Sequence, residues 1–261
     1  MTQKKHPPNI AVFPVTGAEY DKALHLSRQL RIPLVDHQAE EFDFLLFCTV
    51  QGLSVVATGK QSPGPVTVDF VSPTMEYRRK HGGGRRQPMA RAVGLKSGNQ
   101  PTVIDATAGL GRDAYILAHL GCYVQMIERS PIVGVLLQDG LQRANQYSEA
   151  TRIILHRLKL TVGDSRTILG NLADTDRPEV IYLDPMYPHR TKNSLVKKEM
   201  RILRALTGDD QDAPGLLEAA MACARNRVVV KRPRLAAAIG GKPPSTAITS
   251  KNSRYDIYLI R

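Results

Sequence analysis

The chain has 261 residues, 42% hydrophobic and 23% charged, a composition typical of a folded globular protein and not of a disordered one. Lysine and arginine number 36 against 24 acidic residues, so the formal net charge is +12. The longest apolar run, FLLFCTV, is too short to span a bilayer, so no membrane partner is expected. The charge favours a polyanionic partner such as nucleic acid over a basic surface kept for solubility alone.

The cysteines give information on compartment and on metals. Cys48, Cys122 and Cys223 lie far apart in apolar surroundings, without the close spacing of a zinc site. We therefore expect reduced, buried thiols in a cytoplasmic protein, and no metal. The N-terminus MTQKKHPPNI lacks the apolar stretch of a secretory signal, so none is expected.

Residues 1–72 are predicted to form a small α+β N-terminal domain. Short strands are predicted at NIAVFPV, FDFLLFCTV, LSVVAT and VTVDFV, with a helix at EYDKALHLSRQL. Glycine and proline separate these elements, as is typical of turns. No pattern of catalytic or ligand-binding residues is found here, so the sequence assigns this domain no chemistry.

Residues 73–101 are predicted to be a basic, glycine-rich connector, EYRRKHGGGRR being its most basic part. Three consecutive glycines separate two basic clusters, and flexible backbone of this kind can approach phosphates. A solvated linker explains the same composition. RNA contacts are predicted for the basic side chains of the two clusters, namely Arg78, Arg79, Lys80, Arg85 and Arg86.

From residue 102 to residue 261 strands and helices alternate. Strands are predicted at TVIDAT, YVQMIE, LKLTVGD, EVIYLD, RVVVKRP and YDIYLI, and helices at about 111–120, 131–146, 165–172, 193–206 and 214–225. The alternation is typical of an α/β fold whose parallel, doubly wound sheet binds ligands at the carboxyl ends of its strands. Only a loop is predicted between the last two strands, so we expect at least one to be antiparallel at the sheet edge.

The first strand of this region runs into a glycine loop, VIDATAGLGRDA. Asp105 ends the strand, and Gly109 and Gly111 allow the backbone to turn and to bring helix N-terminal amides close to a ligand. Glu128 ends the next strand, where a carboxylate accepts from both hydroxyls of a ribose. The spacing G-x-G-x-x-A fits a nicotinamide dinucleotide as well as S-adenosylmethionine, and a helix cap is the structural alternative for Glu128.

The third strand ends in TVGDS. Asp164 and Ser165 offer an acid and a hydroxyl that could hold the edge of an adenine ring. The same two residue types cap helices, so capping of the following helix fits equally well on local grounds. The position favours a site, because acidic residues end four successive strands.

The fourth strand ends in VIYLDPMYPHR. The Asp184 carboxylate and the Pro185 carbonyl can accept both N–H groups of an exocyclic base amine, and Tyr187 can stack on the base. This is the pattern [N/D]-P-P-[F/Y/W] of amino-methyltransferases, from which methionine at the third position departs. A type I turn after a strand is the structural alternative. A dehydrogenase has no need of this edge, so methyl transfer is favoured.

Several longer segments resemble one known family. DATAGLGRDA, ERSP, YLDPMYPHR, SLVKKEMRIL, RVVVKRP and RYDIYL, with EYRRKHGGGR upstream, are similar to the small-subunit ribosomal RNA methyltransferase J proteins. The resemblance covers most of the chain beyond residue 70. It implies a Rossmann-like class I S-adenosylmethionine-dependent methyltransferase that methylates the N2 amine of one guanine in 16S rRNA.

The resemblance also implies which residues contact the cofactor. Asp113 would accept from the methionine amino group and Arg112 would reach its carboxylate. Together with the strand-end acids, the implied cofactor contacts are Arg112, Asp113, Glu128, Arg129, Asp164, Ser165 and Asp184.

Further basic residues are predicted to follow the RNA backbone. Lys197 and Arg201 recur at helical spacing after the fourth strand, and Lys231 and Arg232 end the fifth strand at the same sheet edge. A solvated helix face explains the helical pair equally well.

The leading hypothesis is therefore an S-adenosylmethionine-dependent guanine-N2 methyltransferase that acts on 16S rRNA or on the small ribosomal subunit. An NAD(P)-dependent oxidoreductase is an alternative, because the glycine spacing allows it. A non-catalytic RNA-binding factor for ribosome assembly is another.

Overall fold

The computed structural model describes residues 8–37, 41–59, 64–186, 198–208 and 212–260. The N-terminal part contains a three-stranded sheet in the order β1-β2-β3, with β1 parallel to β2 and β2 antiparallel to β3. Its elements are β1 (Ile10–Pro14), α1 (Tyr20–Leu30), β2 (Phe44–Thr49) and β3 (Gly52–Ala57).

The strand predicted at VTVDFV is wrong. Only Val66 pairs with a strand residue, Val55, and the carbonyl of Val68 accepts a hydrogen bond from Arg143 instead of from a neighbouring strand. The apolar side chains of this stretch are nevertheless buried in the core, which explains the strand-like alternation.

The segment predicted to be a connector is largely helical. It contains α2 (Pro73–His81), a 3-10 turn and α3 (Pro88–Ala92). The hydroxyl of Ser72 caps α2 and a proline follows at its first position, two local signals that start a helix. The domain limits at residues 72 and 101 stay predictions.

The larger sheet has seven strands in the order β6-β5-β4-β7-β8-β10-β9. Strands β4 to β8 are parallel, while β10 is antiparallel to both β8 and β9, as expected for the sheet edge. The strands are β4 (Thr102–Asp105), β5 (Tyr123–Glu128), β6 (Leu158–Val162), β7 (Val180–Leu183), β8 (Arg227–Pro233), β9 (Thr246–Thr249) and β10 (Ser253–Leu259).

Helices cover both faces of this sheet. They are α4 (Arg112–His119), α5 (Pro131–Asn145), α6 (Glu149–Leu155), α7 (Ser165–Gly170), α8 (Lys198–Thr207) and α9 (Ala213–Cys223). The sequence prediction missed α6 and β9, which have only seven and four residues. None of the described helices is long and apolar enough to cross a bilayer.

Two hydrophobic clusters enclose the larger sheet. One packs α7 and α9 against Ile104, Ile181 and Val228. The other, on the opposite face, is continuous with the N-terminal sheet, because Val12 and Leu46 belong to the same cluster as the strand residues of that face. The α/β fold predicted from the alternation is confirmed, and both sheets share one core.

Strand β4 determines where a ligand can bind. Its neighbours are β5 on one side and β7 on the other, so the chain winds in opposite directions from this point. Such a switch point leaves a crevice outside the carboxyl ends of the strands.

Candidate active site

A pocket opens at the carboxyl edge of the larger sheet, beside the ends of β4, β5 and β6. Three loops that follow these strands form most of it, and the regions around α8 and α9 form the opposite wall. Its lining residues are Ala106, Thr107, Gly109, Ile127, Glu128, Arg129, Asp164, Ser165, Arg166, Met186, Thr207, Asp212 and Leu216.

Glu128 lies in this pocket at the end of β5 and is 4% exposed. Its Oε2 accepts from the backbone N–H of Gly109 at 2.9 Å, and its Oε1 accepts from the N–H of Ser130 at 2.8 Å. One carboxylate thus connects the glycine loop to the start of α5. The helix-cap alternative does not describe it, because the hydroxyl of Ser130 caps α5.

The two glycines of the loop have different tasks. Gly111 has φ +71°, and a Cβ there would lie 2.9 Å from Leu137 and 3.0 Å from Phe70, so α4 could not pack with a larger residue. Gly109 has φ +53°, and a Cβ there would meet nothing closer than 4.0 Å. Gly109 therefore leaves open space where the loop borders the pocket.

Asp164 and Ser165 both line the pocket, and both also have local structural tasks. Asp164 caps α7, since its Oδ1 accepts from the N–H of Thr167 at 2.9 Å, and this bond lowers the pKa of Asp164. The Ser165 hydroxyl is buried and donates to the carbonyl of Ala106 at 2.6 Å. The capping predicted as an alternative is thus present, and it holds both side chains at the pocket.

Arg129 joins the loop after β5 to the opposite wall of the pocket. Its guanidinium donates to the carbonyl of Thr207 at 2.7 Å and to Asp212 Oδ1 at 3.3 Å. The Thr207 hydroxyl, which donates to the carbonyl of Leu203 at 3.0 Å, also lies 3.7 Å from the sulfur of Met186. The methionine that stands in place of proline therefore contacts the end of α8.

A buried charge cluster lies beside the pocket, formed by Arg78, Asp113, Tyr182, Asp184 and Lys231. Asp113, whose side chain is 10% exposed, accepts from Arg78 at 2.5 Å, from Lys231 at 2.8 Å and from the Tyr182 hydroxyl at 2.7 Å. Burial opposes ionisation of Asp113, but Lys231 and Arg78 outweigh it and hold its pKa below the ordinary value. Asp113 is therefore an ionised acceptor at the centre of the cluster.

Asp184 is the more exposed acid of this cluster. Its side chain is 41% exposed, and its Oδ2 accepts from Lys231 Nζ at 2.8 Å. Its backbone N–H donates to the Thr107 hydroxyl at 2.6 Å, which fixes the end of β7 against the loop after β4. Burial raises the pKa of Asp184 and the Lys231 ammonium opposes that rise. A carboxylate positioned in this way can accept hydrogen bonds from a ligand.

Five residues predicted to contact the cofactor lie outside the pocket lining, namely Gly111, the acids Asp113 and Asp184 of the charge cluster, Arg112 and Asp105. Arg112 pairs with Glu199 at 2.5 Å and joins α4 to α8. Asp105 is 2% exposed, and its Oδ1 accepts from the N–H of Thr107 at 3.2 Å. Burial, followed by the charge of Asp113, raises the pKa of Asp105 to about 8, so this acid carries a proton at neutral pH.

The basic residues predicted to bind RNA fall into three groups. Arg85, Arg86 and Arg201 are exposed. Arg79 and Lys80 are both paired with the same carboxylate, Glu76, on their own helix.

The third group consists of residues that the fold turns inward. Arg78 and Lys231 belong to the buried charge cluster, and Arg232 is 5% exposed and donates to the carbonyl of Ala237. The surface roles expected for these three are corrected accordingly. Tyr187 and Lys197 lie outside the described residues.

The structure also adds site residues that the sequence analysis did not select. Thr107 lies in DATAGLG directly after β4, a position that could have identified it. Tyr182 gave no such signal, because it looks like an ordinary buried residue of β7. Thr207 gave none either, because it looks like an ordinary last residue of a helix, α8.

Comparison with known proteins identifies the family. Residues 26–260 match the family described as "Putative SAM-dependent methyltransferase". The chain is 48% identical over 258 residues, 99% of its length and 94% of the relative's, to the Ribosomal RNA small subunit methyltransferase J of Pseudomonas savastanoi pv. phaseolicola. The protein of that name from Marinobacter nauticus is 52% identical over 225 residues, 86% of this chain and 80% of that relative.

A solved structure agrees with these matches. A SAM-dependent methyltransferase from Neisseria gonorrhoeae superposes with a TM-score of 0.74 at 35% identity, over 96% of this chain and 95% of that one. The similarity therefore extends over nearly the whole of both chains. The chain belongs to the ribosomal RNA small subunit methyltransferase J family.

Proposed function

We propose that this chain transfers a methyl group from S-adenosylmethionine to the exocyclic N2 amine of a guanine in 16S rRNA. The observation that carries the proposal is Asp184 at the switch point, whose carboxylate is held by Lys231 and whose backbone N–H is held by the Thr107 hydroxyl, next to a pocket that Glu128 lines. The names of the relatives, which share about half of this sequence, support the ribosomal RNA substrate.

The pocket residues fit the cofactor. Glu128 provides the carboxylate that a ribose requires, and the side chains of Ile127, Leu216 and Met186 provide apolar walls suited to an adenine ring. Gly109 leaves the space into which a larger side chain would project. When bound, S-adenosylmethionine would supply an electrophilic methyl group on a sulfonium.

The proposed acceptors for the base amine are at the end of β7. An aromatic amine is a weak nucleophile because its lone pair is delocalised into the ring. The Asp184 carboxylate and the Pro185 carbonyl would accept its two N–H groups and so hold the lone pair in the direction of transfer. Asp184 would also accept the released proton, and Tyr187 would stack on the base.

The proposed RNA surface consists of the exposed basic side chains around this edge. Arg85, Arg86 and Arg201 are available for phosphates, and the net charge of +12 favours a polyanion. Arg79 and Lys80 share one carboxylate, so together they still carry an excess of positive charge. Phosphate contacts of this kind position an RNA without selecting its sequence.

The test is a methylation assay with two substrates. Small subunits and naked 16S rRNA, both prepared without the modification, are incubated with labelled S-adenosylmethionine, and mass spectrometry maps the modified nucleotide. We expect one N2-methylguanine, and the preferred substrate distinguishes free rRNA from the assembled subunit. Label in neither substrate, although the protein binds S-adenosylhomocysteine and RNA, would refute methyl transfer and support a non-catalytic assembly factor.

A further inference from the structure

Lys231 contacts both acids of the buried charge cluster. Its Nζ lies 2.8 Å from Asp113 Oδ2 and 2.8 Å from Asp184 Oδ2, and its side chain is 26% exposed. It extends from β8, which neighbours β7 in the sheet, while Asp113 lies in the first turn of α4. The ammonium therefore bridges a buried acid and a partly exposed one.

The charges of the cluster are balanced. The cations of Arg78 and Lys231 face the carboxylates of Asp113 and Asp184. An unpaired charge at this place would destabilise the fold, because a charge removed from water requires a partner of opposite sign. The neighbouring Asp105 is protonated at neutral pH and adds no charge. Removal of the Lys231 ammonium would leave Asp113 and Asp184 with one cation between them, and burial would then favour the protonated form of Asp184.

Lys231 also limits the positions that Asp184 can take. Asp113 is fixed on its other sides by Arg78 and by the Tyr182 hydroxyl, so the ammonium that it holds is itself fixed. The Asp184 backbone is fixed separately by Thr107. With both the backbone and one carboxylate oxygen held, the other oxygen, Oδ1, has little freedom, and it accepts no hydrogen bond from any described part of the chain.

We propose that Lys231 is a positioning residue for methyl transfer, whose ammonium, anchored on Asp113, orients the Asp184 carboxylate toward the target amine. The inference rests on the proposed function, since it assigns Asp184 the role of acceptor. It replaces the phosphate-contact role that the position of Lys231 at the strand end had indicated.

The two roles predict different measurements. A positioning residue acts on the turnover step, so its loss lowers kcat and leaves RNA affinity unchanged. A phosphate contact acts on RNA affinity, so its loss would weaken binding. It would also lower, by about one, the magnitude of the slope of log binding constant against log salt concentration. A side chain with a purely structural task would change the melting temperature without separating kcat from KM.

The experiment compares Lys231→Met with Lys231→Arg in the full chain. We expect Lys231→Met to lower kcat by about 10- to 100-fold, the effect of a displaced reacting group, with KM for RNA and its salt dependence unchanged. Lys231→Arg, which keeps the positive charge, should recover part of the lost kcat. The matched control is Lys159→Met, because this exposed lysine lies near the amino end of β6, on the opposite sheet edge.

Binding of S-adenosylhomocysteine and the melting temperature are measured for each variant. If Lys231→Met does not fold, Lys231→Gln takes its place, because an amide keeps a hydrogen-bond donor but not the charge; the same loss of kcat is expected. Wild-type kcat in Lys231→Met, or weaker RNA binding with an unchanged kcat, would overturn the inference. Failure of the proposed function would be recognised separately, as a wild-type protein that transfers no methyl group.

Discussion

Glu128 Oε2 accepts a hydrogen bond from the backbone N–H of Gly109 at 2.9 Å, so the end of β5 fixes the shape of the loop after β4. The residue proposed to bind the cofactor's ribose thus also builds the loop beside it. Local structure and ligand binding depend on the same carboxylate.

We predict that Glu128→Ala weakens S-adenosylhomocysteine binding by at least about tenfold and lowers the free energy of unfolding by about 2 kcal/mol. Two backbone N–H groups would lose their acceptor, and a proposed ligand contact would be lost with them. Calorimetric titration and urea unfolding measure the two effects. Glu149→Ala, at an exposed helix position, is the control, and unchanged affinity in Glu128→Ala would remove Glu128 from the proposed cofactor site.

Asp184→Asn is expected to lower kcat by at least about 100-fold, because an amide offers one acceptor where the carboxylate offers two and carries no charge. RNA affinity should change by less than about twofold, since phosphate contacts do not need this acid. Single-turnover methylation and filter binding measure the two quantities. Near-normal turnover would show that the acceptor assignment is wrong.

We predict that the titration of Asp105 makes the stability of the folded protein depend on pH. Its pKa is raised from the ordinary 3.8 to about 8, first by burial and then by the charge of Asp113. Between these pH values the folded protein holds a proton that the unfolded chain releases, so this acid makes the fold less stable as pH rises. Asp105→Asn removes that titration.

The melting temperature of Asp105→Asn minus that of wild type should therefore be larger at about pH 8.5 than at about pH 5, by about 3 °C or more. Scanning calorimetry or fluorimetry at several pH values measures the difference. The exposed Asp176→Asn is the matched control. A difference for Asp105→Asn that does not vary with pH would contradict its protonation in the fold.

Asp139→Ala is predicted to lower the free energy of unfolding by about 3 kcal/mol. Asp139 on α5 is 7% exposed and accepts from Lys22 of α1, from Arg143 and from the N–H of Leu53 in β3. The loss would leave these donors without an acceptor. Urea unfolding measures it, and Asp21→Ala, at an exposed position, should change stability by less than about 0.5 kcal/mol.

Local patterns predicted the sheet well. The runs YVQMIE and RVVVKRP are β5 and β8, because each has a buried apolar centre, as is typical of strands inside a parallel sheet. The same patterns placed Glu128, Asp164 and Asp184 at one edge, since parallel strands bring their carboxyl ends together. The spacing G-x-G-x-x-A by itself left a nicotinamide dinucleotide open. The edge DPMY then favoured methyl transfer, and the longer resemblance, now confirmed at the family level, indicated which methyltransferase family.

The partners of buried charges could not be predicted in this way. Asp113 meets Arg78, Tyr182 and Lys231 across separations of 35, 69 and 118 residues. Nothing local distinguishes Lys231, which is buried between two acids, from Arg201, which is exposed. The sequence therefore gave both the same role, and only the packing of α2 and α4 beside the ends of β7 and β8 separates them.

The core shared by the two sheets has a consequence for the protein during its synthesis. Gly140 of α5 permits the close approach of Val68, and Phe70 stacks on Tyr115 at 5.2 Å, so residues before 72 are covered by helices that lie much later in the chain. The N-terminal strands leave the ribosome first, but their apolar faces stay uncovered until α5 has emerged. A nascent chain is therefore open to wrong association over this interval. A fragment that starts at residue 102 would instead expose permanently the helix faces that the N-terminal residues cover.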